Sequence, residues 1–261
     1  MKTRILYLDP VGHDDMLLPM GRFLQAYKDK DTELHLACLG AEHRQEHLEY
    51  SAYEAMVAGD VVRAARQAAN EGFDAFIIGC FYDIALHAAR EVAGGMVVVG
   101  PCQASLTIAA QIAERYSIVI GREKWRLILD RLVHEYGQSR RLLSWPSLGM
   151  SPHDLRQSET TTATRLEKLG RQAVSQGAEA LVLGCSLNFG FNLELQQQLE
   201  IPVIDPLLAS LYQAEHLVRL RRQQGWGIAG TGLSQGPSSE ELMKYSLLQQ
   251  PYHFGNRVSI G

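Results

Sequence analysis

Cysteine is scarce in this chain, and its spacing excludes more than its number does. The four cysteines, at positions 38, 80, 102 and 185, form no C-x-x-C pair and have no histidine-rich company. A disulfide framework and a structural zinc site are therefore not expected, and a reduced, cytoplasmic setting is. Surplus positive charge is also missing. The formal net charge is −4 with no long basic run, which argues against nucleic acid as a partner. No apolar stretch approaches the roughly 18 residues of a membrane helix. The opening "MKTRILYLDPVG" has only a four-residue apolar run before Asp9, too short for a signal-peptide core, and reads as a first strand.

The sequence does contain short runs rich in Ile, Val and Leu, alternating with longer helical patterns. "RILYLD" (4–9), "ELHLACLG" (33–40), "AFIIGC" (75–80) and "MVVVGP" (96–101) make a first set of four strands. "YSIVIG" (116–121), "RRLLSWP" (140–146), "ALVLGC" (180–185) and "IPVIDP" (201–206) make a second. Continuous apolar strands between helices predict parallel sheets covered on both faces. The fold class expected is α/β, with two pseudo-symmetric, four-stranded, Rossmann-like units and a cleft between them. The units are placed at 1–111 and 112–208. The polar stretch "SPHDLRQSETTTATR" (151–165) reads as a loop leading into a helix, its threonines being ordinary loop and cap residues rather than a phosphate site. "ELQQQLE" reads as a solvated helix face. A tail, 225–261, shifts to Gly, Ser and Gln.

The two sets of strands are copies. "QAANEGFDAFIIGC" (67–80) and "QAVSQGAEALVLGC" (172–185) stand 105 positions apart, and that offset gives twelve identities over the forty-one positions 66–106. Both copies end on Gly-Cys. In open parallel sheets ligands gather at the carboxyl ends of strands, where Cys80 and Cys185 fall. If these ends face each other, one sulfur overhangs each wall of a cleft. That pair suits proton transfer: a thiolate takes an α-proton, a thiol on the opposite face returns one, and nearby donors hold the enolate.

Other positions near strand ends invite a role or a plainer reading. Asp9, in "DPVGHDD", is expected to line the cleft without moving the proton. The His13-Asp14-Asp15 run reads as a loop with a helix cap before it reads as a metal site. Gly40 follows the second strand. Gly121 and Arg122, in "GREKW", occupy the matching place in the second half, where Arg122 either pairs an anionic substrate or is a solvated helix-start charge. Cys38 is expected mid-strand in the core, and Cys102 near the rim.

These residues carry a family resemblance. "IIGCFYDIALHAAREVAGGMVVVGPCQAS" and "AEALVLGCSLNFG…IPVIDPLLAS" resemble the two cysteine motifs of the aspartate/glutamate/hydantoin racemase superfamily, over residues 1–222. The Gly-Cys-Phe-x-Asp motif is similar to the hydantoin and allantoin racemase branch. The Cys-Asn-Thr and Gly-Cys-Thr motifs of aspartate and glutamate racemases are absent. The resemblance implies an isomerase without cofactor, with Cys80 and Cys185 as acid and base; a small-molecule substrate, no metal and a homo-oligomer are expected beside it. It implies that the helix at 209–224 completes the first unit, and that backbone donors at Phe81, Tyr82 and Ser186 meet substrate carbonyls.

Three strings depart from that branch. Asp9-Pro10-Val11-Gly12 replaces Asn-Pro-Asn-Thr, Ile120-Gly121 replaces a threonine pair, and Ser186-Leu187-Asn188 replaces Ala-Gly-Met. All three lie where a ligand would be held, so the chemistry reads as retained and the substrate as altered. The expected activity is racemisation or epimerisation beside a carbonyl, on a hydantoin, an allantoin-like ureide or an amino-acid derivative. The alternatives are a cis–trans isomerase or decarboxylase of the same superfamily, and a small-molecule binding protein without turnover.

Overall fold

A computed structural model describes residues 2–40, 42–43, 45–246 and 248–260. The chain divides into two compact units. The first comprises Met1–Gly79, Asp83–Gly100 and Leu211–Gly261; the second comprises Cys80–Tyr82 and Pro101–Ser210.

In the first unit, β1 (Thr3–Asp9), α1 (Leu17–Gln25), β2 (Thr32–Cys38), α2 (Ser51–Asn70), β3 (Ala75–Ile78), α3 (Leu86–Val92) and β4 (Val97–Val99) follow in order. Strands β4, β3, β1 and β2 lie side by side and parallel. Every residue of β3 and β4 is buried, as continuous apolar strands in a parallel sheet require.

The second unit holds α4 (Pro101–Ile112), β5 (Tyr116–Val119), α5 (Arg126–Glu135), β6 (Leu142–Ser144), α6 (Pro152–Gln157), α7 (Glu159–Ser175), β7 (Ala180–Leu183), α8 (Asn192–Leu199) and β8 (Val203–Ile204). Its sheet order, β8-β7-β5-β6, repeats the first one. The duplication extends to register: Leu8 pairs Ile78, and Val119 pairs Leu183, with Ile78 and Leu183 equivalent in the repeat.

The helices after each fourth strand change partners. Pro101 opens α4, which packs with β7, β8 and α5 of the second unit. Pro206 opens α9 (Pro206–Gln224), which from Leu211 onward belongs to the first. There Glu215 accepts hydrogen bonds from Thr32 Oγ1 (2.6 Å) and the Asp29 amide (2.9 Å), and Arg222 pairs Asp74 at 2.8 Å. Proline suits both helix starts because its fixed φ is helical and its missing N–H is not needed there.

Two expectations need correction. The first sheet has a fifth strand: after α10 (Ser239–Lys244), β9 (Arg257–Ile260) pairs antiparallel with β2. Its sequence, Arg-Val-Ser-Ile, half exposed and one-sided, carries none of the apolar run that marks the other strands. The stretch 151–165 is helical, not a loop. Ser151 caps α6 by accepting the Asp154 amide while Asp154 accepts the Ser151 amide, and the threonines lie inside α7.

Strands β3 and β7 end two residues before their cysteines, by the same device. The Gly79 amide donates to the Leu8 carbonyl at 2.7 Å, and the Gly184 amide to the Val119 carbonyl at 2.8 Å. Neither glycine has room for a side chain. A Cβ on Gly184 would lie 2.7 Å from that carbonyl oxygen, and one on Gly79 would meet both the Leu8 carbonyl and the Tyr7 ring. Gly79→Ala is therefore expected to cost about 1–3 kcal/mol. Gly230→Ala, in open space, is expected to stay within about 0.5 kcal/mol. Urea unfolding midpoints of the two variants check this.

Candidate functional site

At the strand ends of the first unit, Cys38 and Gly40 find partners within it, whereas the Asp9 carboxyl has no hydrogen bond among the described residues. Asp9 closes β1 with its carboxyl buried, and that burial pushes its pKa from 3.8 to about 7 against the opposing pull of His13. Cys38 closes β2 rather than sitting mid-strand. It is buried, its thiol is pushed up by that burial, and its Sγ lies 3.7 Å from the Asn256 carbonyl. The Gly40 amide donates to Tyr252 Oη at 3.3 Å, so the tail engages this backbone. Of the His13-Asp14-Asp15 run, Asp14 accepts from the Asn256 side chain while Asp15 is largely exposed. Glu42, His43 and Asp60 gather three potential ligand atoms within 4.8 Å, but the Asp60 carboxylate already binds His43 (2.9 Å) and Arg63 (2.5 Å).

Gly79 turns the chain out of the first unit, and Cys80, Phe81 and Tyr82 group with the second. Phe81 and Tyr82 are buried, whereas Cys80 is half-buried. Asp83 and Ala85 follow with φ of 48° and 54°, a left-handed pair that only close packing holds in non-glycine residues. A side chain at Gly100 would run into the Asp83 carboxyl.

The second unit repeats this turn with its polar groups exchanged. Asn188 stands where the repeat has Asp83, and Asp205 where it has Gly100. Each copy thus keeps one carboxyl beside its Gly-Cys turn, from opposite sides of it. Asp205 Oδ1 accepts the Leu207 and Leu208 amides at 2.9 and 3.2 Å, and Oδ2 accepts the Gly190 amide at 2.9 Å. Burial pushes its pKa from 3.8 to about 6; those three hydrogen bonds and the Arg156 charge restrain the rise.

Cys185 is half-buried, like Cys80 and unlike the buried Cys38 and Cys102. Ser186 and Asn188 lie on a single helical turn after it, closed by the Asn188 amide on the Cys185 carbonyl at 3.0 Å. Both side chains are buried, yet Ser186 Oγ and both polar atoms of the Asn188 amide have no hydrogen-bond partner among the described residues. Groups in that condition await water or ligand. Arg156 projects from α6 with its guanidinium 3.6 Å above the Phe189 ring centre. Desolvation pulls its pKa down, and the negative charges of Glu159, Cys185 and Asp205 oppose that.

Of the other expected positions, Gly121 is buried and its carbonyl accepts the Met150 amide at 2.9 Å. Arg122 is exposed and its charge acts on Asp154. Sequence reasoning missed Arg156 and Asp205, and marked Asn188 only as part of a string that departs from the family branch. For Arg156 there was a signal: Ser-Pro-His-Asp at 151–154 is a helix start with N-cap, N1 proline and capping acid.

The raised pKa of Asp9 makes a signed prediction. The folded chain keeps this proton between about pH 4 and 7, where the unfolded chain releases it, so stability falls as pH rises through that window. Asp9→Asn removes the penalty. Its stability relative to the parent is expected to improve by on the order of a few kcal/mol from pH 4 to pH 8, read from urea midpoints at the two pH values.

Comparison with known proteins places the chain in a family. The model of the Asp/Glu/Hydantoin racemase family matches residues 5–214. A hydantoin racemase of Rhizobium meliloti is 33% identical over 194 residues, 72% of this chain and 78% of that one. One from Pseudomonas sp. (strain NS671) is 34% identical over 164 residues, 62% of this chain and 66% of that one. The solved structure of an allantoin racemase from Klebsiella pneumoniae superposes with a TM-score of 0.76 at 26% identity, covering 91% of this chain and 95% of that one.

Proposed function

Because the chain belongs to the Asp/Glu/hydantoin racemase family and is an isomerase, we propose that it inverts a stereocentre beside a carbonyl with Cys80 and Cys185 as its two acid/base groups. The substrate is a cyclic ureide, a hydantoin or an allantoin-like ring. The observation that carries this reading is the duplicated Gly-Cys turn. Two strands in equivalent register end on the same glycine amide bond, and each is followed by a half-buried thiol. The two other cysteines are buried.

The proton inventory closes without any added reactant. A thiolate sulfur takes the hydrogen from the substrate carbon, whose bonding electrons pass into the adjacent carbonyl as an enolate. The second thiol gives its proton to the other face of that carbon, and the electrons return to form the new C–H bond. The thiols end with exchanged protonation and reset through water. The enolate oxygen needs donors already in place, since these cost no reorganisation as charge develops. Ser186 Oγ and the Asn188 amide, buried and unpartnered beside Cys185, are suited to that work.

The test is hydrogen exchange. In heavy water, single enantiomers of 5-substituted hydantoins and of allantoin should take up deuterium at the reacting carbon as optical activity decays. Cys80→Ser and Cys185→Ser should each slow racemisation roughly a hundredfold or more, with unchanged thermal melting. Exchange that persists when both cysteines are serine would sink the proposal.

A further inference from the structure

The Arg156 guanidinium is arranged for a ligand rather than for the fold. Nη1 is its one bonded nitrogen, 3.4 Å from Glu159 Oε1, a carboxylate that is itself largely exposed. Nε and Nη2 are shut off from solvent and have no hydrogen-bond partner among the described residues. These two nitrogens form the edge that grips a carboxylate with two parallel hydrogen bonds. Asp205, whose charge also bears on Arg156, makes no hydrogen bond to it; that carboxylate accepts the Leu207, Leu208 and Gly190 amides instead. Leaving a charged fork unpaired in a desolvated place is costly. Yet the fork is held there firmly, by the Phe189 ring beneath it and by the capped, proline-started α6 with Leu155 buried behind.

The groups beside it set the rest of the ligand. Asn188 offers an unpartnered donor and an unpartnered acceptor from one planar amide, and Ser186 adds a hydroxyl. A planar amide edge matches the N–H and C=O of a ureide ring. From this juxtaposition of an unpartnered guanidinium edge and an unpartnered carboxamide beside Cys185, we infer that the second unit selects a ureide ring bearing an anionic side chain, with Arg156 as the specificity-determining residue for the anion. The inference rests on the racemase reading for its choice of ring and adds the charge of the substituent.

Calorimetric binding of the full chain to hydantoin-5-acetic acid and to its neutral amide, hydantoin-5-acetamide, tests it without requiring turnover. The acid is expected to bind about tenfold tighter or more, with added salt weakening the acid and not the amide. In Arg156→Gln that ratio should collapse toward one, and Arg156→Lys should keep part of it, retaining charge without the fork. Asn188→Asp, which sets a negative charge beside Cys185, should lower the same ratio and serves as an independent variant should Arg156→Gln melt early. Equal binding of acid and amide by the parent, failure of both to bind, or a ratio that survives Arg156→Gln overturns the inference. Deuterium exchange is read separately. Exchange on neutral hydantoins with equal binding of acid and amide would sink this inference alone, and an acid preference without exchange would sink the racemase reading alone.

Discussion

A hydrogen bond from a glycine amide to the carbonyl of the neighbouring strand is the constraint on which both halves of this molecule depend. Gly79 bonds Leu8, and Gly184 bonds Val119, at nearly the same distance. Each glycine closes a parallel strand while approaching the next backbone too closely for any Cβ. The chain must leave the sheet at that point, and the next residue is in both cases a cysteine. The position of each thiol is thus inherited from sheet geometry. That explains how two copies of a motif could diverge around their cysteines without losing them: the surrounding side chains can change, but the turn cannot.

What diverged is the distribution of polar groups around each turn. The first copy has an acid three residues after its cysteine and a glycine at the end of the next strand; the second has Asn188 and Asp205 at those places. In the second copy the acid accepts three backbone amides, and the asparagine amide has no partner among the described residues. Arg156 then adds a positive charge that neither carboxylate nearby fully absorbs. Buried polar groups are normally satisfied, so their clustering beside one cysteine marks where binding energy is kept in reserve for a ligand. The first unit differs in character. There Asp60, Glu215 and Gly40 are tied to neighbours, and the tail supplies some of the partners.

Much of the fold was legible in the chain. The eight parallel strands declare themselves as apolar runs because both faces of each sheet are covered, and the repeat declares itself by identity. The fifth strand, β9, was not legible, since an edge strand half in water needs no apolar run. Helix α6 was legible in principle through its Ser-Pro-His-Asp start but hidden by its polarity. In the candidate site the cysteines could be read directly, because they sit at duplicated positions. Asn188 showed only as part of a departing string, and Arg156 and Asp205 could not be read, since an arginine in a six-residue helix and an aspartate before a proline are ordinary surface or cap residues until packing places them.

The chain alone determined its duplication, its parallel α/β class and the placing of Cys80 and Cys185 at equivalent strand ends, because these follow from residue periodicity and from what glycine permits near a backbone. The tertiary structure alone decided which polar atoms lose water and which of them find partners. Whether Asp205 bonds backbone amides and Arg156 keeps unpartnered nitrogens depends on distances between segments up to about fifty residues apart along the chain, and desolvation belongs to the packed assembly of those segments, not to any one of them.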